Sequence, residues 1–229
     1  MVPLKLPHDP AAPLGVLCLG AHADDIEIGC GGTLLQLLAA RTGVHVTWVV
    51  FSSAGSREEE ARTGASLFLE GAARKNVAPL KFRDGFFPYQ GERIKECFEA
   101  LKQDACPDPD LIFTHYREDR HQDHRVISDL TWNTWRHNLI VEYEVPKYDG
   151  DLGQPNLFAP LARSTCERKI SNILDAFKTE SRKAWMTQDT FWATLRLRGV
   201  ECAAPDGYAE AFHCRKITLD TQESAAGGR

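Results

Sequence analysis

The chain has 229 residues, 43% of them hydrophobic, and a formal net charge of −5, enough apolar content for one substantial core. The negative balance argues against a nucleic-acid or anionic-membrane surface, which recruits clustered Lys and Arg, and favours a small neutral or cationic ligand. Seven scattered cysteines without a CxxC pair, no signal peptide and no run near the ~20 apolar residues of a membrane span predict a cytoplasmic protein.

Gly15 to Leu19 reads as a buried strand and Thr33 to Ala40 as the helix behind it. Val44 to Phe51 is a second β-branched run. Residues 56–73 read as a helix that Ser56 can cap, with Glu58, Glu59 and Glu60 matching the dipole of its first turn. Pro79 to Phe82 gives a short third strand, Glu92 to Gln103 a third helix and Asp110 to Thr114 a fourth strand. Alternation of this kind predicts β-α-β units and a mostly parallel sheet covered on both faces, an α/β fold. Beyond Ile140 the pattern weakens: Val141 to Val145 reads as a strand, Pro146 to Pro160 as irregular, Thr165 to Phe177 and Ser181 to Arg198 as helices, and Ala211 to Leu219 as a last strand. Residues 1–220 are expected to form a single domain and 221–229 a disordered tail.

The chemistry concentrates in two clusters. His22-Ala23-Asp24-Asp25 stands where a buried strand ends and a helix starts, the position at which parallel α/β proteins place their sites. His121-Gln122-Asp123-His124 holds the matching position after Leu111-Ile112-Phe113-Thr114. Two such clusters suggest one shared metal site. Zinc takes imidazole and carboxylate ligands, and a catalytic site keeps three protein ligands and an open position; His22, Asp25 and His124 can supply that set. His121 and His124 are three apart, so on a helix they project from one face, and one can bind metal while the other faces the substrate. Asp25 can ligate while Asp24 orients a water and takes its proton. A lone His-x-Asp-Asp is equally well a helix cap; the second cluster is what favours a metal. Cys30 and the Gly31-Gly32 pair read as close packing, since neither a G-x-G-x-x-G nor a Walker lysine is present. His8, His45 and His137 read as structural or solvated, and the tryptophans at 132, 135, 185 and 192 as core or interface and not as a sugar platform.

Together the two clusters resemble the PIG-L/LmbE family of zinc-dependent N-deacetylases, whose motifs read His-Pro-Asp-Asp and His-Pro-Asp-His. Gly29-Cys30-Gly31-Gly32-Thr33-Leu34 is similar to the family's helix entry, Arg57-Glu58-Glu59-Glu60-Ala61 to its Arg-x-x-Glu-Ala element, and Gly207 to Phe212 to a looser closing motif. The resemblance covers roughly the first 125 residues. Ala23 and Gln122 replace the motif prolines, which carry no functional group, so altered loop stiffness is expected and not lost chemistry. The resemblance implies a Rossmann-like three-layer fold and hydrolysis of an N-acyl group, typically acetyl, from a GlcNAc-type amino sugar. Carried over by position, His22, Asp25 and His124 become ligands of Zn2+ or another divalent transition metal, and Asp24 the general base. By the same match His121 stabilises the oxyanion or protonates the leaving amine, and Asp123 orients it. Arg57 and Asp84 become candidate substrate contacts, with a structural salt bridge or turn as the competing reading.

The expected partner is thus a small N-acylated amino sugar or glycoconjugate, with no nucleic acid and no membrane span. A phosphohydrolase with a His/Asp metal pair would want more carboxylates and a phosphate-binding cluster. A non-catalytic ligand-binding protein that kept the fold would need neither Asp24 nor His121. A dinucleotide binder lacks its glycine fingerprint here and would set a pyrophosphate against acidic groups. Residues 142–160 are expected in the pocket wall or in a homo-oligomer contact.

Overall fold

The first strand, β1 (Leu14–His22), alternates its side chains between two apolar clusters: Leu14, Val16 and Cys18 join one, Leu17, Leu19 and Ala21 the other. A strand buried on both faces is what a helix-covered parallel sheet requires. The computed structural model describes residues 2–6, 9, 12–106 and 108–219, so His8 and the expected tail lie outside it. Parallel to β1 run β2 (Val44–Ser52), β3 (Arg74–Pro79), β4 (Leu111–His115) and β5 (Leu139–Tyr143). Two antiparallel strands, β6 (Leu157–Leu161) and β7 (Tyr208–Cys214), complete a seven-stranded sheet of order β3-β2-β1-β4-β5-β7-β6. One face packs α1 (Asp25–Ala40), α2 (Ser56–Phe68), α5 (Arg163–Ala176) and α6 (Gln188–Glu201); the other packs α3 (Gly91–Ala100) and α4 (Gln122–Thr134). This is the mostly parallel, three-layer α/β fold that the alternation implied. From β1 the chain runs outward to β2 and β3, then returns to β4 on the other side. The crevice beyond the carboxyl ends of β1 and β4 is therefore a topological switch point, where such sheets bind ligands.

Several boundaries differ from expectation, for physical reasons. Helix α1 starts at Asp25 instead of Thr33, with its glycines inside it. They permit close approach to the sheet: a Cβ on Gly29 would lie 2.1 Å from the Tyr143 ring and one on Gly32 2.6 Å from Leu161. Strand β3 lies at 74–79 and not at 79–82, because it is an edge strand pairing with β2 alone, and its Arg74, Lys75 and Asn76 leave no apolar run to read. Strand β6 falls within the stretch expected to be irregular; at the opposite edge it tolerates Pro160. Residues 181–187 form turns, and α6 begins only where Thr187 caps it by accepting from the Thr190 N–H at 3.3 Å. The last strand is 208–214, earlier than the expected 211–219. No helix among the described residues is long and apolar enough to cross a membrane.

Candidate active site

β1 delivers His22 to the switch point and the next residues turn sharply into α1. Asp24, the last residue before that helix, has φ 108° and ψ −26°. Positive φ is uncommon outside glycine, least so for Asp and Asn, and costs on the order of 1–3 kcal/mol. Arg57 holds the turn: its guanidinium donates to the Ala23 carbonyl, pairs with Asp24 at 3.3 Å, and is itself gripped by Glu60 at 3.0 Å and Glu180 at 3.4 Å. On the other side β4 ends at His115, and His121 is the N-cap of α4, so His124 points inward from the first turn.

The two clusters meet. His22 Nδ1 lies 3.2 Å from His124 Nε2 and 3.4 Å from Asp25 Oδ2, and His124 Nε2 lies 3.5 Å from Asp25 Oδ1. Tetrahedral zinc with bonds of ~2.0–2.1 Å sets its ligand atoms roughly 3.3 Å apart; the two imidazole nitrogens stand near that spacing and the Asp25 carboxylate brings one oxygen close to each, so these residues can hold such an ion. The outer nitrogens are already engaged. His124 Nδ1 is 2.8 Å from Asp119 Oδ2, and His22 Nε2 is 3.2 Å from Asp123 Oδ2 and 3.1 Å from Asp84 Oδ1. With an ion bound, the carboxylates behind both imidazoles would hold the outer N–H groups and leave the inner nitrogens, His22 Nδ1 and His124 Nε2, to ligate. The same region offers other donor groups, His22 with His121 and His124, and Asp25 with His115 and His124.

Electrostatics reflect the crowding. Burial would lower the His22 pKa, but hydrogen bonds to Asp123, Asp25 and Asp84 carry it well above its ordinary value. Asp25 is held well below the usual carboxylate range: burial opposes this, and the neighbouring His124 and His115 outweigh it. Burial, with His115 alongside, pushes His124 down to about 3. Burial and the Asp25 charge push Asp24 up to about 7, against the pull of Arg57. Burial and the charge on His22 lower His121. Three carboxylates gather positive charge onto His22 in the ion-free chain, a demand that a divalent cation would also meet.

Other expected contacts rearrange. The Asp123 carboxylate accepts from the Gly85 and Phe87 N–H groups, at 2.7 and 3.1 Å, and contacts His22, whereas its link to His121 is through its own backbone N–H, which donates to His121 Nδ1 at 3.3 Å. Asp84 faces His22 while its side chain stays 74% exposed to the cleft. Arg57 also lines the cleft, but its donors are engaged within the protein. Two residues not singled out in the sequence take part. His115 is fully buried, stacks on His124 with centroids 3.9 Å apart and lies 3.3 Å from Asp25 Oδ2. Asp119 holds both His124 and the His121 N–H, and Lys147 anchors Asp119 at 2.9 Å. Position was their signal: His115 ends a strand beside β1, and Asp119 sits in the loop that follows it. All this opens into a cleft of about 610 Å³, also lined by Phe82, Tyr148 and Trp185.

The model of the family described as PIG-L, GlcNAc-PI de-N-acetylase, matches residues 17–135, the segment that carries both clusters. The chain belongs to the PIG-L family. The uncharacterized deacetylase YaiS of Escherichia coli is 29% identical over 143 residues, 58% of this chain and 74% of that protein. Among solved structures, N,N'-diacetylchitobiose deacetylase from Pyrococcus horikoshii superposes with a TM-score of 0.66 at 22% identity, covering 87% of this chain and 83% of that one. The 4-carboxy-2-hydroxymuconate hydratase GalB of Pseudomonas putida KT2440 superposes with a TM-score of 0.65 at 16% identity, covering 91% and 100%. A deacetylase and a hydratase thus share the architecture of this PIG-L protein, so the reaction has to be argued from the site.

Proposed function

We propose that the protein is a metal-dependent amide hydrolase that removes an acetyl or related N-acyl group from an amino sugar or GlcNAc-type conjugate. The observation that carries this reading is the convergence of His22, Asp25 and His124 at 3.2–3.5 Å, with Asp24 beside them at the floor of an open cleft. His22, Asp25 and His124 would hold the ion, with zinc the best match to two imidazoles and a carboxylate. When bound, such an ion supplies a Lewis acid and brings the pKa of water at the site toward ~7. Asp24 takes the proton of the attacking water, as the buried carboxylate beside the ligand set that Arg57 holds at 3.3 Å. Arg57 keeps it aimed and ionisable. Burial lowers the His121 pKa and so favours the neutral ring, and because its Nδ1 accepts the Asp123 N–H, the ring proton sits on Nε2, ready to donate to the oxygen of the acyl group as charge develops there. The proton held by Asp24 then satisfies the departing amine, so water and amide are converted to acid and amine with nothing left over.

The size of the cleft and its mixture of aromatic and polar groups suit a sugar. Residues 1–220 are read as one domain, since all described strands join one sheet. Seven free cysteines support a reducing compartment such as the cytoplasm. The direct test is to incubate zinc-loaded protein with N-acetylglucosamine, its methyl glycoside and chitobiose derivatives, following both acetate and primary amine. Stoichiometric release of both is expected. Phosphate release from phosphorylated sugars without acetate would instead support a phosphohydrolase, and no turnover of any of them a binding protein.

A further inference from the structure

Five Lys and Arg side chains line the cleft: Arg57, Lys81, Arg83, Lys147 and Lys183. Four are neutralised where they stand. Arg57 meets Asp24, Glu60 and Glu180; Lys81 meets Glu58 at 2.9 Å; Lys147 meets Asp119 at 2.9 Å and Asp151 at 2.6 Å; Lys183 meets Glu180. Arg83 has no carboxylate partner among the described residues. Its guanidinium lies over the Phe86 ring, 3.5 Å from the centroid. The backbone beneath it is fixed: Gln90 accepts from the Arg83 N–H at 3.4 Å and donates to its carbonyl at 3.1 Å, and the Gly85 N–H donates to Asp123 at 2.7 Å. Asp84, the next residue, reaches His22 Nε2 at 3.1 Å. A guanidinium with no hydrogen-bond or carboxylate partner among the described residues therefore lines the cleft, on the residue next in sequence to Asp84, in a protein whose net charge is −5.

Resting on the amide-hydrolase reading, we infer that Arg83 determines specificity by binding an anionic group, phosphate or carboxylate, on the far side of the amino sugar from the scissile amide. Guanidinium is suited to this, since its planar fork meets either anion through two parallel hydrogen bonds and stacking on an aromatic ring pre-orients it. Trp185, expected from the sequence in the core or an interface, lines the same cleft with Tyr148 and offers a sugar ring an apolar surface, while Arg83 is the lining Lys or Arg without a carboxylate partner among the described residues.

The experiment compares kcat/KM of zinc-loaded wild type and Arg83→Gln on four probes: methyl N-acetylglucosaminide, carboxymethyl N-acetylglucosaminide, N-acetylglucosamine 1-phosphate and N-acetylglucosamine 6-phosphate. Wild type is expected to favour at least one anionic probe over the neutral glycoside by roughly tenfold, a margin that rising ionic strength erodes. Arg83→Gln should remove about that factor through KM while leaving the neutral glycoside within about twofold, and Arg83→Lys should restore part of it. Whether the phosphates or the carboxymethyl glycoside show the effect identifies the anion. Turnover of the neutral glycoside without an anion preference, or a preference that survives Arg83→Gln, overturns the inference alone; the first is what an arginine merely covering Phe86 would give. No turnover of any probe overturns the hydrolase reading and this inference with it.

Discussion

Helix α1 touches two buried charged clusters, and their difference is instructive. At its start, Asp24, Asp25 and the imidazoles of His22 and His124 crowd together with inner donor atoms 3.2–3.5 Å apart and no Lys or Arg among those donors. In its middle, Glu210 from β7 accepts the Gly32 and Thr33 N–H groups, each at 2.7 Å, and meets the Lys169 ammonium at 2.5 Å; Lys169 also donates to the Ile28 carbonyl at 2.6 Å. The second cluster is closed, with each charge answered by the protein. The first turns ring nitrogens and a carboxylate toward one another with no Lys or Arg between them, Arg57 reaching only Asp24 from outside, so the charge that joins them has to come from a protonated imidazole or from a bound cation.

Substitutions should separate the two. His124→Ala or Asp25→Ala is expected to lose bound zinc by elemental analysis and to lower turnover by ~10³-fold or more, with a cooperative thermal transition retained. Asp24→Asn should keep zinc near the wild-type level and still lose about 10²–10⁴ in kcat; unchanged activity would remove Asp24 from the base role. Asp119→Asn, which weakens the carboxylate behind His124, should cost roughly 10–100-fold in zinc affinity and be rescued by added zinc. Lys169→Met acts on stability instead. Leaving Glu210 buried without its counterion should cost about 3–5 kcal/mol, seen as a Tm drop on the order of 10 °C, with zinc per folded molecule unchanged. Zinc loss in Lys169→Met, or a stability loss without zinc loss in His124→Ala, would erase the distinction between the clusters.

How much of this was legible in the sequence follows the range of the interactions. β1, β2 and β4 announce themselves as apolar runs, and both clusters stand directly after such runs, so the convergence of residues 22, 25 and 124 could be read from local pattern plus topology. The edge strands β3 and β6 could not, because edges are polar or proline-bearing by necessity. The resemblance pairs Asp123 with His121, two residues before it; the Asp123 carboxylate instead holds His22, since β1 and β4 lie side by side. His115 and Asp119 belong to no spaced motif, and their roles arise only when the loop after β4 folds back over Asp25 and His124.

The central claim is that one divalent ion sits among His22, Asp25 and His124. Diffraction from zinc-loaded crystals, collected on both sides of the zinc absorption edge, tests it most directly. The account predicts a single anomalous peak within about 2.0–2.2 Å of His22 Nδ1, His124 Nε2 and an Asp25 oxygen. A peak on the His115 side that leaves His22 uncoordinated, or no peak in this cluster, would contradict it.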